Sequence, residues 1–75
     1  MKTYTLVINI IDGDTFEDMQ DFVYSEFSLV DTLDLITQNG NNCRCELTAK
    51  DNFNYATFED IMDYNSYPVE FLELN

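Results

Sequence analysis

The sequence predicts an α+β domain: a four-stranded antiparallel sheet with two helices on one face. Three observations carry that expectation. Four stretches of the 75-residue chain are apolar or alternate with the period of a strand. Two others space their apolar residues three and four apart, as a helix does. Asn39-Gly40, a strong hairpin signal, stands between two of the strand-like runs near the middle of the chain.

Thr3 to Ile11 reads as the first strand, with Tyr4, Leu6, Ile8 and Ile10 on one face. Asp12-Gly13-Asp14 turns the chain. Thr15 to Phe27 then carries apolar residues at 16, 19, 23 and 27, with Asp14 or Thr15 as N-cap and acids in the first turn, where the helix dipole favours them. Ser28 to Gln38 has two readings. As a strand, Leu33, Leu35 and Thr37 share a face and lead into Asn39-Gly40; as a helix, Ser28 caps and Gly40 closes the end. The strand is favoured. Cys43 to Ala49 alternates as the next strand, Asp51 to Tyr55 reads as a polar loop, and Ala56 to Tyr64 as a helix with Phe58, Ile61 and Met62 inward. Pro68 to Leu74 reads as the last strand, with Pro68 at its start, where a missing N–H is tolerated.

A weak internal repeat fits this order. Thr15-Phe16-Glu17-Asp18-Met19-Gln20-Asp21-Phe22 matches Thr57-Phe58-Glu59-Asp60-Ile61-Met62-Asp63-Tyr64 at Thr, Phe, Glu, Asp and the second Asp, and an aromatic closes both. Two β-α-β halves joined at Asn39-Gly40 make a ferredoxin-like fold, β-α-β-β-α-β, the expected architecture of a single domain over residues 1–75.

Charge narrows the function classes. Fifteen Asp and Glu face three basic residues, Lys2, Arg44 and Lys50, for a net charge of −12 with no histidine. Nucleic-acid binding needs clustered Lys and Arg, so direct contact with DNA or RNA is not expected. An anionic membrane is disfavoured by the same sign. At 45% hydrophobic and 15% aromatic residues the chain has enough apolar material to close a core despite its charge. Eight Asn and five Ile beside only two Lys hint at selection against Lys, and solubility alone needs a charge of only about 2–8.

Catalytic constellations are missing. Without His or a Gly-x-Ser-x-Gly turn there is no nucleophile–base arrangement, and a chain this small leaves little room for a sugar cleft between paired carboxylates. An enzyme is not expected. Asp12-Gly13-Asp14 opens like a calcium loop, but Phe16 and Glu17 stand where that pattern needs an oxygen ligand and a glycine, so a turn and helix cap are expected there, and no metal. Cys43 and Cys45 point to one face of a strand, a poor geometry for a mutual disulfide, and lack the partners of a zinc site. They read as reduced core thiols of a cytoplasmic protein, and the apolar run after Met1 reads as a strand. No cofactor is expected.

The remaining candidates are carboxylates. Glu17, Asp18 and Asp21 lie off the apolar stripe of the first helix, as Glu59, Asp60 and Asp63 do on the second. With both helices on one side of the sheet, these six form two acidic rows. Like charges at such spacing repel by a few tenths of a kcal/mol per pair. The functional reading is a surface that imitates a nucleic-acid backbone; the plain alternative is a solvated coat. Tyr24, Tyr55, Tyr64 and Tyr67 would sit near helix ends or loops, as partner anchors or, for Tyr64 and Tyr67, as covers for the core edge.

By size, charge, lack of catalytic groups and the acid rows around Thr15–Phe22 and Thr57–Tyr64, the chain resembles the small acidic inhibitors encoded by phages and plasmids, the anti-CRISPR and anti-restriction DNA mimics. The resemblance is one of class and carries over no residue. It implies a partner with a positively charged nucleic-acid-binding site, a CRISPR effector or restriction enzyme, blocked by competition. Two alternatives stand beside it: an antitoxin or immunity protein neutralising a basic nuclease, and a structural or oligomerisation module, with a homodimer compatible with the sequence.

Overall fold

Six elements follow one another in the computed structural model, which describes residues 1–75: β1 (Lys2–Asn9), α1 (Phe16–Glu26), β2 (Val30–Asn39), β3 (Asn42–Ala49), α2 (Tyr55–Tyr64) and β4 (Val69–Leu74). The fold is α+β. All strand pairs are antiparallel, in the order β2-β3-β1-β4, so β1 and β3 are central and β2 and β4 are the edges.

The alternation of β1 and β3 settles where the core lies. Tyr4, Leu6 and Ile8 on β1 and Cys43, Cys45, Leu47 and Ala49 on β3 are buried. They join Phe16, Met19 and Val23 of α1 and Phe58 and Met62 of α2 in one cluster. Both helices therefore cover the same face of the sheet. The other face carries Asn42, Arg44 and Glu46, all exposed. Cys43 and Cys45 are buried free thiols on the core face.

The stretch with two readings, Ser28–Gln38, forms strand from Val30 onward, after a turn at Ser28 and Leu29. Its edge position lets Leu33 bury against the partner strand's Leu47. Thr37, expected beside Leu33 and Leu35, faces the other way: the register slips between Leu35 and Thr37, and Thr37 pairs with Arg44 of the open face. The hairpin loop is Gly40-Asn41, because Asn39 still pairs with Asn42. Gly40 adopts φ 61° and Asn41 a negative φ, the sign pattern of a type II′ turn, whose first central position calls for glycine.

The helix starts differ from each other. Thr15 caps α1 with a complete capping box: its hydroxyl accepts from the Asp18 N–H (3.2 Å), and the Asp18 carboxylate accepts from the Thr15 N–H (3.0 Å). In α2 the repeat-equivalent Thr57 is not the cap. Asn54 takes that role three residues earlier, accepting from the Thr57 N–H at 3.1 Å. The expected polar loop 51–55 is thus shorter, and it buries Phe53 against Tyr4 and Phe58. α2 ends in a Schellman closure, Tyr67 N–H to Met62 C=O and Ser66 N–H to Asp63 C=O, with Ser66 at φ 67° where glycine is usual.

A candidate acidic interface on the helix layer

Connectivity places the six candidate carboxylates. α1 leaves the C-terminal end of β1 and α2 leaves the C-terminal end of the antiparallel β3, so the helices run antiparallel over the sheet. The N-terminal turn of α1, with Glu17 and Asp18, therefore lies at the same end of the molecule as the C-terminal half of α2, with Asp60 and Asp63. A direct bond fastens that end: the Tyr67 hydroxyl, just past α2, donates to the Asp14 carboxylate, just before α1, at 2.8 Å. Phe22 packs on the Tyr67 ring. At the same end Asp12 accepts from the side-chain amide of Asn41 in the hairpin loop.

The six are not equivalent. Glu17, Asp21, Asp60 and Asp63 are exposed and have no hydrogen-bond partner or ion pair. Asp18 is exposed but committed to the capping box. Glu59 is half-buried beside the Tyr55 hydroxyl, and burial first, then the Glu59 carboxylate, pushes that phenol above its ordinary range. The rows expected from sequence are thus densest at one end of the layer and thinner in its middle.

Cations are distributed in the opposite sense. With Glu17, Asp18, Asp21 and Glu26 on α1 and Glu59, Asp60 and Asp63 on α2, the helices hold seven carboxylates and no Lys or Arg. Lys50 is spent on Asp31 at 2.7 Å, the N-terminal ammonium pairs with Asp51, and Arg44 points from the sheet's open face. The placement also runs against helix preference. α2 has no acid in its first turn and Asp63 in its last, next to the negative end of the helix dipole, with no basic residue there to offset it. Local stability alone would have put the acids of α2 in its first turn, as α1 has Glu17 and Asp18.

Tyr64 corrects a sequence expectation. It does not cover the core edge; its residue surface is 89% exposed, because Phe58 and Met62 hold the inward face of α2 and turn position 64 to solvent. It stands four residues from Asp60 and one from Asp63, an aromatic among unpaired carboxylates. The available signal was its helical phase relative to Phe58 and Met62. Tyr67, by contrast, is buried, and burial with its bond to Asp14 pushes its phenol up to about 12.

The open sheet face is a second acidic surface. Asp34 sits directly opposite Glu46, and Glu73 lies across Thr5 from it. Its central strands present Thr3, Thr5, Val7 and Asn9 from β1 and Asn42, Arg44, Glu46 and Thr48 from β3, with no aromatic ring on which a base would stack. A shallow apolar recess lined by Phe27, Leu29, Phe53 and Phe58 lies at the end remote from the acid-rich one. No helix is long and apolar enough to cross a membrane. No group of three or more His, Cys, Asp and Glu is placed to hold a metal ion. No family model, curated protein or solved structure matches the chain.

Proposed function

We propose that this chain is a non-catalytic inhibitor, cytoplasmic in its site of action, that imitates nucleic acid and occupies the positively charged binding site of a defence effector of the CRISPR or restriction kind. The observation that carries the reading is the unneutralised helix layer: seven carboxylates, no cation, and Asp63 where the helix itself disfavours it. A ferredoxin-like arrangement goes with this reading, supported by the strand order β2-β3-β1-β4 with both helices against one face.

Magnitudes support it as well. The longest dimension of the molecule is 33 Å. B-DNA carries about 19 phosphate charges over that length at one per ~1.7 Å, the same order as the net −12. Carboxylates fixed on a folded scaffold meet the Lys and Arg of a nucleic-acid channel, are steered by the same field, and need no base sequence.

The test is capture of the effector on the immobilised protein, followed by challenge with duplex DNA and with salt. Duplex DNA should release the effector in proportion to its concentration, and raising salt from 50 to 300 mM should weaken binding at least tenfold. Release of a toxin nuclease instead would assign the chain to the antitoxin class. Binding indifferent to both DNA and salt would remove the mimicry reading.

A further inference from the structure

The two edges of the sheet are guarded unequally. β4 begins after Pro68, carries Glu70 and Glu73, and has an irregular register against β1 between Thr5 and Leu6. Charges, proline and irregularity of this kind are how edge strands avoid pairing with foreign strands. β2 has slips of its own, between Val30 and Thr32 and between Leu35 and Thr37, and charges at Asp31 and Asp34, but another element covers its edge at Leu33 only. α1 reaches over to Leu33, where the Gln20 amide donates to the backbone C=O at 2.6 Å and the Tyr24 hydroxyl accepts from the backbone N–H at 2.8 Å. Those two bonds show that the backbone groups of Leu33 face outward from the sheet.

In an antiparallel ladder the next residue with outward N–H and C=O is Leu35. No side chain meets it, and from Leu35 to Asn39 nothing covers the edge. Leu35 and Ile36, on either side of the register slip, are 41% and 50% exposed. The run Leu35 to Cys43 holds no charged residue, as long an uncharged stretch as that of the central strand β1. The open edge spans five residues, about 16 Å at strand rise.

Its surroundings are negative. α1 runs antiparallel to β2, so moving from Gln20 back to Glu17 moves along the edge from Leu33 toward Leu35 and Ile36. Glu17 thus flanks the near end of the open edge on the helix side, and Asp34 flanks it on the open side of the sheet. A second copy of the chain would bring its own Glu17 and Asp34 to the same place and be repelled. An extended segment with alternating Lys or Arg would put its backbone on Leu35–Asn39 and its cations beside those carboxylates.

We propose that the outer edge of β2, Leu35–Asn39, accepts a basic extended segment of the target protein as a fifth strand. The inference rests on the reading of a basic partner and adds a backbone-mediated contact beside the helix layer.

The test uses the full chain, isotope-labelled, titrated with an eight-residue acetylated and amidated peptide of alternating Lys and Val. Exchange of the Leu35 amide with solvent should slow at least tenfold on saturation, with resonance shifts concentrated at Leu35–Asn39 and Glu17. An alternating Glu–Val peptide should do neither. L35P, which deletes an outward N–H and leaves the ladder to β3 in place, should abolish docking while circular dichroism stays that of the parent; if it unfolds, the exchange measurement on the parent decides alone. Shifts confined to the helix carboxylates, with Leu35 exchange unchanged, would overturn the proposal. So would slow, concentration-dependent Leu35 exchange without peptide, which would give the edge to a second copy. Because the readout is the Leu35 amide and involves no effector, its failure is distinct from failure of DNA competition.

Discussion

Burial has made the ionisable groups of the core reluctant to ionise. Desolvation, reinforced by Cys43, pushes the Cys45 thiol up to about 12, and Cys43 is raised by burial as well. Burial, with the adjacent Asp14, pushes Tyr67 up to about 12. Each is an acid held neutral by the fold, so each contributes stability that is fully present below its unfolded pKa, near 9 for the thiols and 10 for the phenol. That contribution is lost as pH rises toward 12. Neither thiol should react with a disulfide reagent at pH 8 in the native protein, and both should react in denaturant. The midpoint of urea unfolding should hold from pH 7 to 8.5 and fall steadily between pH 9 and 12. A midpoint that rises through that range would contradict the assignment. The core thiols were legible in the sequence, since i, i+2 residues of a strand share a face. The exposure of Tyr64 was also there to be read, from its helical phase relative to Phe58 and Met62; the capping duty of Asp18 was not, because Asp14 and Thr15 both stood as caps.

Helix ends show which structural choices serve the fold and which do not. Thr15 was readable as one of two N-cap candidates, beside Asp14, because Thr and Asp are favoured there; the box it closes with Asp18 was not. Asn54 was not readable, because 51–55 read as a polar loop with the helix starting at Ala56, and nothing local announces that Phe53 packs under Tyr4. The slip at Ile36 that turns Thr37 outward has no signature in the residues around it. The C-terminus of α2 makes two predictions. Ser66→Gly relieves a left-handed backbone and should raise stability by about 0.5–1 kcal/mol net of the extra freedom glycine gives the unfolded chain. Asp63→Lys complements the dipole and should raise stability by about 0.3–1 kcal/mol. If Asp63 is there for a partner, the same change should weaken effector binding. Both are checked by chemical denaturation, and a destabilised Asp63→Lys would show that the carboxylate serves the fold after all.

Size and shape at the scale of the whole molecule follow closely from length, with a radius of gyration of 11.1 Å against the roughly 11 Å that compact-chain scaling gives. The distribution of charge does not follow from length. The three cations lie on strands or beside them: Lys50 pairs with Asp31, Arg44 stands on the open sheet face, Lys2 opens β1, and none pairs with a helix carboxylate. Composition announced an excess of acid; only the antiparallel run of the helices shows that Glu17 and Asp18 share an end with Asp60 and Asp63. A molecule built this way repels itself. Its melting temperature should rise when sodium chloride is increased from 10 to 300 mM, through screening of exposed carboxylates. A flat or falling melting temperature would mean that the acids are compensated. The central claim, that the helix layer competes for a nucleic-acid site, is tested most directly by neutralising its free carboxylates without touching the cap: Glu17→Gln, Asp21→Asn, Asp60→Asn and Asp63→Asn together, sparing Asp18. Each exposed charge is worth only about 0–1 kcal/mol alone, but four removed together act on association rate and affinity. Measured as displacement of labelled duplex DNA from the captured effector, the fourfold variant should need at least a hundredfold higher concentration than the parent, with a melting temperature equal or higher. Equal displacement by the two proteins would show that the acidic helix layer is only a solvated coat.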